Sequence, residues 1–163
     1  MTPAQATMDL IDPHGATAAL AEAFVNTAYI AECERGQIEV AIGHLATKLE
    51  AEMPSKSFAF ITAWNPGGDR RTDDENNDAD RALVHLIDSY RVDRIPMHAV
   101  SPDGAWFEAG WLVCDVSRVT LDQWARSFGQ LGTLWWQRGH AVKLRMYGAR
   151  PDENDNVFVD WIE

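Results

Sequence analysis

The chain has 163 residues, 46% of them hydrophobic and 24% charged, which fits one ordinary globular domain with a substantial core and excludes wholesale disorder. Its net charge of -11 argues against general nucleic-acid binding by the whole surface. No apolar run approaches the ~20 residues of a membrane span, and no lysine or arginine precedes Arg35, so the basic start of a secretory signal is missing.

Residues 1–11 lack periodicity and are expected to be a flexible tail, with 12–163 a single α/β domain. Asp12-Pro13 suits a helix start. Leu20, Phe24 and Ala28, joined by Ala21, Val25 and Tyr29, then predict a helix to about Cys33, closed by Gly36. Alternation at Ile38, Val40 and Ile42 predicts a strand over 37–42. Leu45, Leu49 and Met53 predict a short helix ended by Pro54.

Residues 57–64, aromatic and β-branched, read as a buried strand that Asn65-Pro66-Gly67-Gly68 stops abruptly. An acidic run from Asp69 to Asp80 follows. Thr72-Asp-Asp-Glu75 within it is a capping box, and Ala79, Leu83, Leu86, Ile87 and Tyr90 supply the stripe of a helix over 73–91. Residues 95–100 and 105–116 predict strands joined by the turn Ser101-Pro-Asp-Gly104. A helix over 119–128 stops at Gly129. Residues 133–137 and 141–147 form a second hairpin, and 157–161 a last strand.

This order predicts an α/β (α+β) fold: a mixed, mostly antiparallel sheet with the ferredoxin-like β-α-β-β-α-β order in 57–147, preceded by an N-terminal α-β-α extension.

A buried strand that feeds a glycine loop and a helix is a common ligand site. Asn65, Gly67 and Gly68 are therefore candidates. Asp73, Asp74 and Glu75 in the first helical turn disfavour a bare phosphate there, and neither phosphate-loop pattern is present. Asp74-x-Asn76-x-Asp78 imitates the start of a calcium loop, but Ala79 and His85 stand where its glycine and bidentate glutamate belong. Histidines 14, 44, 85, 98 and 140 are scattered and no metal is expected. Cys33 and Cys114 read as reduced core residues of a cytoplasmic protein.

Glu108 stands mid-strand among apolar neighbours on both faces, so its burial depends on which face is core. In the last hairpin, a two-residue turn would place Leu134, Trp136 and Arg138 beside Lys143, Arg145 and Tyr147. That arrangement makes Trp136, Arg138, Lys143 and Arg145 a cationic and aromatic second surface, which a three-residue loop would dissolve.

Phe60-Ile-Thr-Ala-Trp-Asn-Pro-Gly67, Glu75-Asn76, Asp103-Gly-Ala-Trp-Phe-Glu108, Leu112-Val113 and Phe128-Gly-Gln130 resemble the succession of blocks in the bacterial family of unknown function called domain of unknown function 3293. The resemblance spans about 16–147 and leaves out Pro151–Glu163. It implies no activity or cofactor, but points to Asn65, Gly67, Asn76, Glu108 and Gln130 as the polar members of the pattern.

The leading functional expectation is a non-catalytic small-ligand-binding or regulatory domain with its site at the Asn65–Gly68 loop, without cofactor. An acidic protein-interaction module, as inhibitor or nucleic-acid mimic, is the alternative. A hydrolase-like enzyme using Glu108 is the second. Partners are then a small molecule or a protein, with a homodimer open and no membrane.

Overall fold

The strand Ser57–Thr62 explains the rest of the architecture. Phe58 and Phe60 point to one face of the sheet and Ala59 and Ile61 to the other, and all four are buried. An unbroken apolar run of this kind needs cover on both faces, and the protein supplies it.

The computed structural model describes residues 16–163. Its elements in chain order are α1 (Ala16–Val25), β1 (Ala28–Cys33), β2 (Gly36–Val40), α2 (Thr47–Glu52), β3 (Ser57–Thr62), a 3₁₀ turn (Pro66–Gly68), α3 (Asp73–Ser89), β4 (Arg94–Val100), β5 (Phe107–Cys114), α4 (Arg118–Ser127), β6 (Gly132–Gln137), β7 (Lys143–Tyr147) and β8 (Val159–Ile162). The eight strands form one sheet in the order β2-β1-β4-β5-β3-β6-β7-β8. Every neighbouring pair is antiparallel except β7 with β8, which is parallel. The expected mixed, mostly antiparallel α/β sheet is present. The expected tail and the Asp12-Pro13 helix start lie outside the described residues.

Two cores sandwich the sheet. On one face Phe58, Phe60, Leu112, Leu134 and Trp136 pack with Ala21 of α1 and Leu49 of α2. On the other, Ala59, Ile61 and Val113 pack with Leu83 and Ile87 of α3 and with Leu121, Trp124 and Ala125 of α4. No helix among the described residues is long and apolar enough to cross a membrane.

The start of α3 is as the sequence predicts. The Thr72 hydroxyl accepts from the Glu75 amide at 3.2 Å, and Glu75 Oε1 lies 3.0 Å from the same hydroxyl.

Two expectations are corrected. The first helix does not reach Cys33: it ends at Val25, and residues 28–33 are a strand. The Thr27 hydroxyl bonds back to the Ala23 carbonyl at 2.8 Å and leaves the helical path. Tyr29 and Ala31 are then buried on alternate positions, and Gly36, at φ 122°, closes a hairpin with β2. Tyr29 and Ile30 also favour strand over helix.

The second correction is the register of the β6–β7 hairpin. Thr133 faces Arg145, Leu134 faces Leu144 and Trp135 faces Lys143. Continuing this register to Gln137 leaves three loop residues, Arg138-Gly139-His140, with Gly139 at φ 83°. Parity is reversed from that of a two-residue turn, and each side chain changes face.

Candidate functional site

At the end of β3 the Thr62 hydroxyl donates to the Ala109 carbonyl at 2.5 Å and accepts from the Trp64 amide at 3.0 Å. The chain then turns through Asn65, held in the left-handed region at φ 48°, ψ 59°. Asparagine tolerates that conformation better than most residues. Its side chain is buried and fully engaged. Asn65 Oδ1 accepts from the Arg71 amide at 2.9 Å and from Asn76 Nδ2 at 3.1 Å, while Asn65 Nδ2 donates to Glu108 Oε2 at 3.2 Å. The Asn65 amide donates to Asn76 Oδ1 at 2.9 Å. The two asparagines thus grip one another across the loop, and α3 holds Asn76 rigidly in place.

Gly67 donates its amide to the Gly129 carbonyl at 2.7 Å, which clasps the β3–α3 loop to the α4–β6 loop. Gly129 is at φ 65°, and a Cβ there would lie 2.9 Å from Pro66 Cβ. Beyond the clasp, Gln130 Nε2 donates to the Trp64 carbonyl at 3.1 Å and to the Phe128 carbonyl at 3.3 Å.

Glu108 settles which face of β5 it joins: it shares the face of Leu112 and the β3 phenylalanines. Gly110, two residues on, allows this crowding, because a Cβ there would meet the Ile61 carbonyl oxygen at 2.4 Å and the Phe60 ring at 2.9 Å. Burial pushes the Glu108 carboxyl up from 4.5 to about 7, against hydrogen bonds from Trp106 and Asn65 that pull it down. Tyr29 stands nearby, its hydroxyl donating to the Phe24 carbonyl at 2.8 Å. Burial, with Glu108 adding to it, pushes that phenol well above its ordinary value.

These residues surround one cavity of about 240 Å³, just under the usual span of small-molecule sites at roughly 300–1,000 Å³. Asn65, Gly68, Glu108 and Gln130 line it, with Phe60, Thr62 and Leu134 from the sheet and Leu20 and Phe24 from α1. Of the candidates singled out in the sequence, four therefore meet in one space. Asn76 stands behind Asn65 and lines an adjoining cleft with Arg70, Arg71 and Trp106. Gly67 joins the two loops through its amide. Tyr29, Phe24, Trp106 and Thr133 also line the cavity and escape sequence reasoning. Tyr29 was hidden by the helical reading of 28–33, and the alternation of Tyr29 with Ala31 was the available signal. Among the described residues no group of three or more His, Cys, Asp or Glu is placed to hold a metal ion.

The second candidate surface does not assemble. Trp136 is buried and stacks on Phe58 at 5.3 Å between centroids, its indole donating to Glu50 Oε2 at 3.3 Å. Arg138 is spent on the carbonyls of Ser55, Glu50 and Met53. Lys143 pairs with Asp160 at 2.9 Å. Arg145 is buried against Asp122, with contacts of 2.9 and 2.7 Å. The three-residue loop is the cause: it sends Trp136 into the core and the two cations toward acids.

With this geometry in view, the family comparison bears directly on the site. Residues 61–132 match the family model described as protein of unknown function (DUF3293). The resemblance read from the blocks of the sequence is shown over that stretch. The DUF3293 match runs from Ile61 in β3 to the first residue of β6, and contains Asn65, Gly67, Asn76, Glu108 and Gln130. The wall formed by α1 and Tyr29 lies outside the DUF3293 segment. No curated protein and no solved structure matches the chain.

Glu108 gives the protein a pH-dependent stability with a definite sign. In the folded chain it titrates near 7, against 4.5 for its ordinary value, so between those values the unfolded chain releases a proton that the folded chain retains. Its contribution is most favourable below about pH 4.5 and is lost as pH rises through 7, by about 3 kcal/mol in all. Glu108→Gln is expected to remove this fall. Urea unfolding of wild type and variant at intervals from pH 4.5 to 8.5 measures it. A constant difference in stability between the two across that range refutes the assignment.

Proposed function

We infer that the protein is a non-catalytic small-ligand-binding or regulatory domain, and that the ligand occupies the cavity at the end of β3. The observation that carries this reading is the convergence of Asn65, Gly68, Glu108 and Gln130, from three separate chain segments, on a space otherwise walled by apolar side chains. Glu108 is half-buried and faces this apolar space, where a carboxylate without a cationic partner is costly unless it serves a purpose. Binding is favoured over hydrolysis because, among the described residues lining the cavity, the other titratable group is Tyr29, whose hydroxyl is already given to the Phe24 carbonyl. Cys33 and Cys114 are both unpaired, which favours a reducing compartment and a cytoplasmic protein.

A thermal-shift screen of small organic molecules tests the reading. Hits are expected to raise the melting temperature of the wild type and to lose most of that effect in Gln130→Ala and in Ala99→Phe, which puts a ring into the cavity from its β4 wall. Hits that stabilise both variants as strongly as the wild type overturn this location.

A further inference from the structure

We propose that the ligand of this cavity is a small apolar molecule carrying one protonated primary or secondary amine, whose ammonium group docks on the Glu108 carboxylate. This deepens the ligand-binding reading above and rests on it.

The argument is one of charge and donor inventory. Among the described residues that line the cavity, Glu108 alone carries a charge. Asn65 Nδ2 donates to Glu108 Oε2 at 3.2 Å, and Trp106 beside it also lowers the carboxyl pKa, both favouring the ionised form. These donors offset only part of the burial cost that raises the carboxyl to about 7, and among the described residues no lysine or arginine enters the cavity to offset the rest. Arg70, the nearest arginine in sequence to the Asn65 loop that contacts a lining residue, stacks on Trp106 at 5.0 Å and donates to the Ala105 carbonyl at 2.9 Å, in the adjoining cleft. A half-buried carboxylate in apolar surroundings without a countercharge is costly, and a cation that enters with the ligand relieves the cost.

The other polar groups are already committed. Gln130 Nε2 donates to two carbonyls and Tyr29 to one. Thr62 donates to Ala109 and accepts from Trp64. An anionic ligand would meet a like charge and no cation. A neutral alcohol would leave the carboxylate uncompensated. An ammonium group supplies both the charge and the N–H donors that two carboxylate oxygens accept. The remaining walls, Leu20, Ala23, Phe24, Phe60 and Leu134, suit a hydrocarbon body, and the aromatic rings of Phe24, Tyr29 and Trp106 suit a cation nearby.

Binding is linked to pH through the same group. Facing Glu108 are Tyr29 from β1, Asn65 and Thr62 from the β3 end, Trp106 before β5 and Gln130 after α4; of these only Tyr29 titrates, far above the working range. An alkylammonium with a pKa near that of lysine, about 10.4, stays protonated throughout. Affinity therefore follows the ionisation of Glu108 and rises with pH.

The test uses three matched probes, 2-phenylethylamine, 2-phenylethanol and 3-phenylpropionate, titrated calorimetrically into the full chain at pH 8.5 and 5.5. At pH 8.5 the amine is expected to bind at least about 10-fold more tightly than the alcohol, with no detectable binding of the acid. At pH 5.5 the amine is expected to weaken about 30-fold, the protonated excess for a group titrating near 7. In Glu108→Gln the amine and the alcohol should bind alike at both pH values. If the variant does not fold, the pH dependence of the wild type decides. An alcohol or acid that binds as well as the amine, or an amine affinity that does not rise with pH, overturns the amine assignment and leaves the cavity as the ligand site. Silence of all three probes overturns the amine assignment, and the thermal-shift screen then decides whether the cavity binds another ligand.

Discussion

Asp122→Ala is expected to destabilise the protein by about 3–5 kcal/mol, the usual cost of stripping one partner from a buried ion pair. Asp122 lies on α4 and is 7% exposed, and Arg145 on β7 is equally buried. Asp122 Oδ1 accepts from Arg145 Nε and from the Tyr147 hydroxyl, and Oδ2 accepts from Arg145 Nη2 at 2.7 Å. Because the single phenolic proton of Tyr147 goes to Asp122, the 2.8 Å contact between Tyr147 and Thr133 must be a bond donated by Thr133. Removing Asp122 strands the guanidinium with, among the described residues, only Asp160, at 3.9 Å, in reach, and unsettles the order of that hydroxyl chain. The double variant Asp122→Leu with Arg145→Met is expected to recover most of the loss, since a buried pair contributes little net stability beyond apolar packing of similar volume. Urea unfolding midpoints of the single and double variants measure both effects. A loss under about 1 kcal/mol in the single variant would show that the pair is hydrated and adds no more than a surface bridge.

Asn65→Ala is the second large loss, again about 3–5 kcal/mol. It leaves the buried Asn76 Nδ2 without its acceptor, at roughly 1–3 kcal/mol, and the part-buried Arg71 amide without its own at a smaller cost. It also places alanine at φ 48°, which costs roughly 1 kcal/mol more than asparagine or glycine pays. Asn65→Gly separates these terms: it should lose the hydrogen bonds but not the backbone cost, and so be milder than alanine by about 1 kcal/mol. Asn65→Asp keeps both acceptor roles and the left-handed backbone. It replaces a donor to Glu108 with a second carboxylate, so the Glu108 titration is expected to move upward from about 7. Carboxyl NMR chemical shifts followed against pH read this directly. A Glu108 titration that stays in place or falls in Asn65→Asp would mean that the Asn65–Glu108 bond is not formed in solution.

The two losses have different meanings for function. The Asp122–Arg145 pair secures α4 against β7 on the face away from the cavity, with Thr133 the residue common to the hydroxyl chain and the cavity wall. Asn65 belongs to the cavity itself. It spans the loop, α3 and Glu108, so it orients the carboxyl group as well as holding the turn. A ligand effect in Asn65 variants is therefore read against Asn65→Gly, which retains the fold of the turn with the same missing side chain.

Local chemistry made much of this legible in advance. Thr72 and Glu75 announced the start of α3 because a capping box acts within one turn of chain. Asn65-Pro-Gly-Gly announced the end of β3 because αL conformations and proline stop strands wherever they occur. Asn65 stood out as a side chain that turning does not explain and Glu108 as a mid-strand carboxylate, the family resemblance added Gln130, and the cavity brings the three together.

What failed was decided by partners far away in the chain. Ala28 to Cys33 satisfies helical and strand spacing alike, and only pairing with β2 and β4 selects the strand. The face of Glu108 stayed open because β5 is apolar on both sides, the mark of a strand covered by helices above and below. The cationic surface depended on one loop residue in the β6–β7 hairpin, and a change of one reverses every side chain. The sequence by itself determined where elements begin and stop and which polar residues lack a local role, because those signals act over three or four residues. The tertiary structure alone decided strand pairing, register and the burial of Glu108, because each depends on surfaces that meet only when distant segments pack.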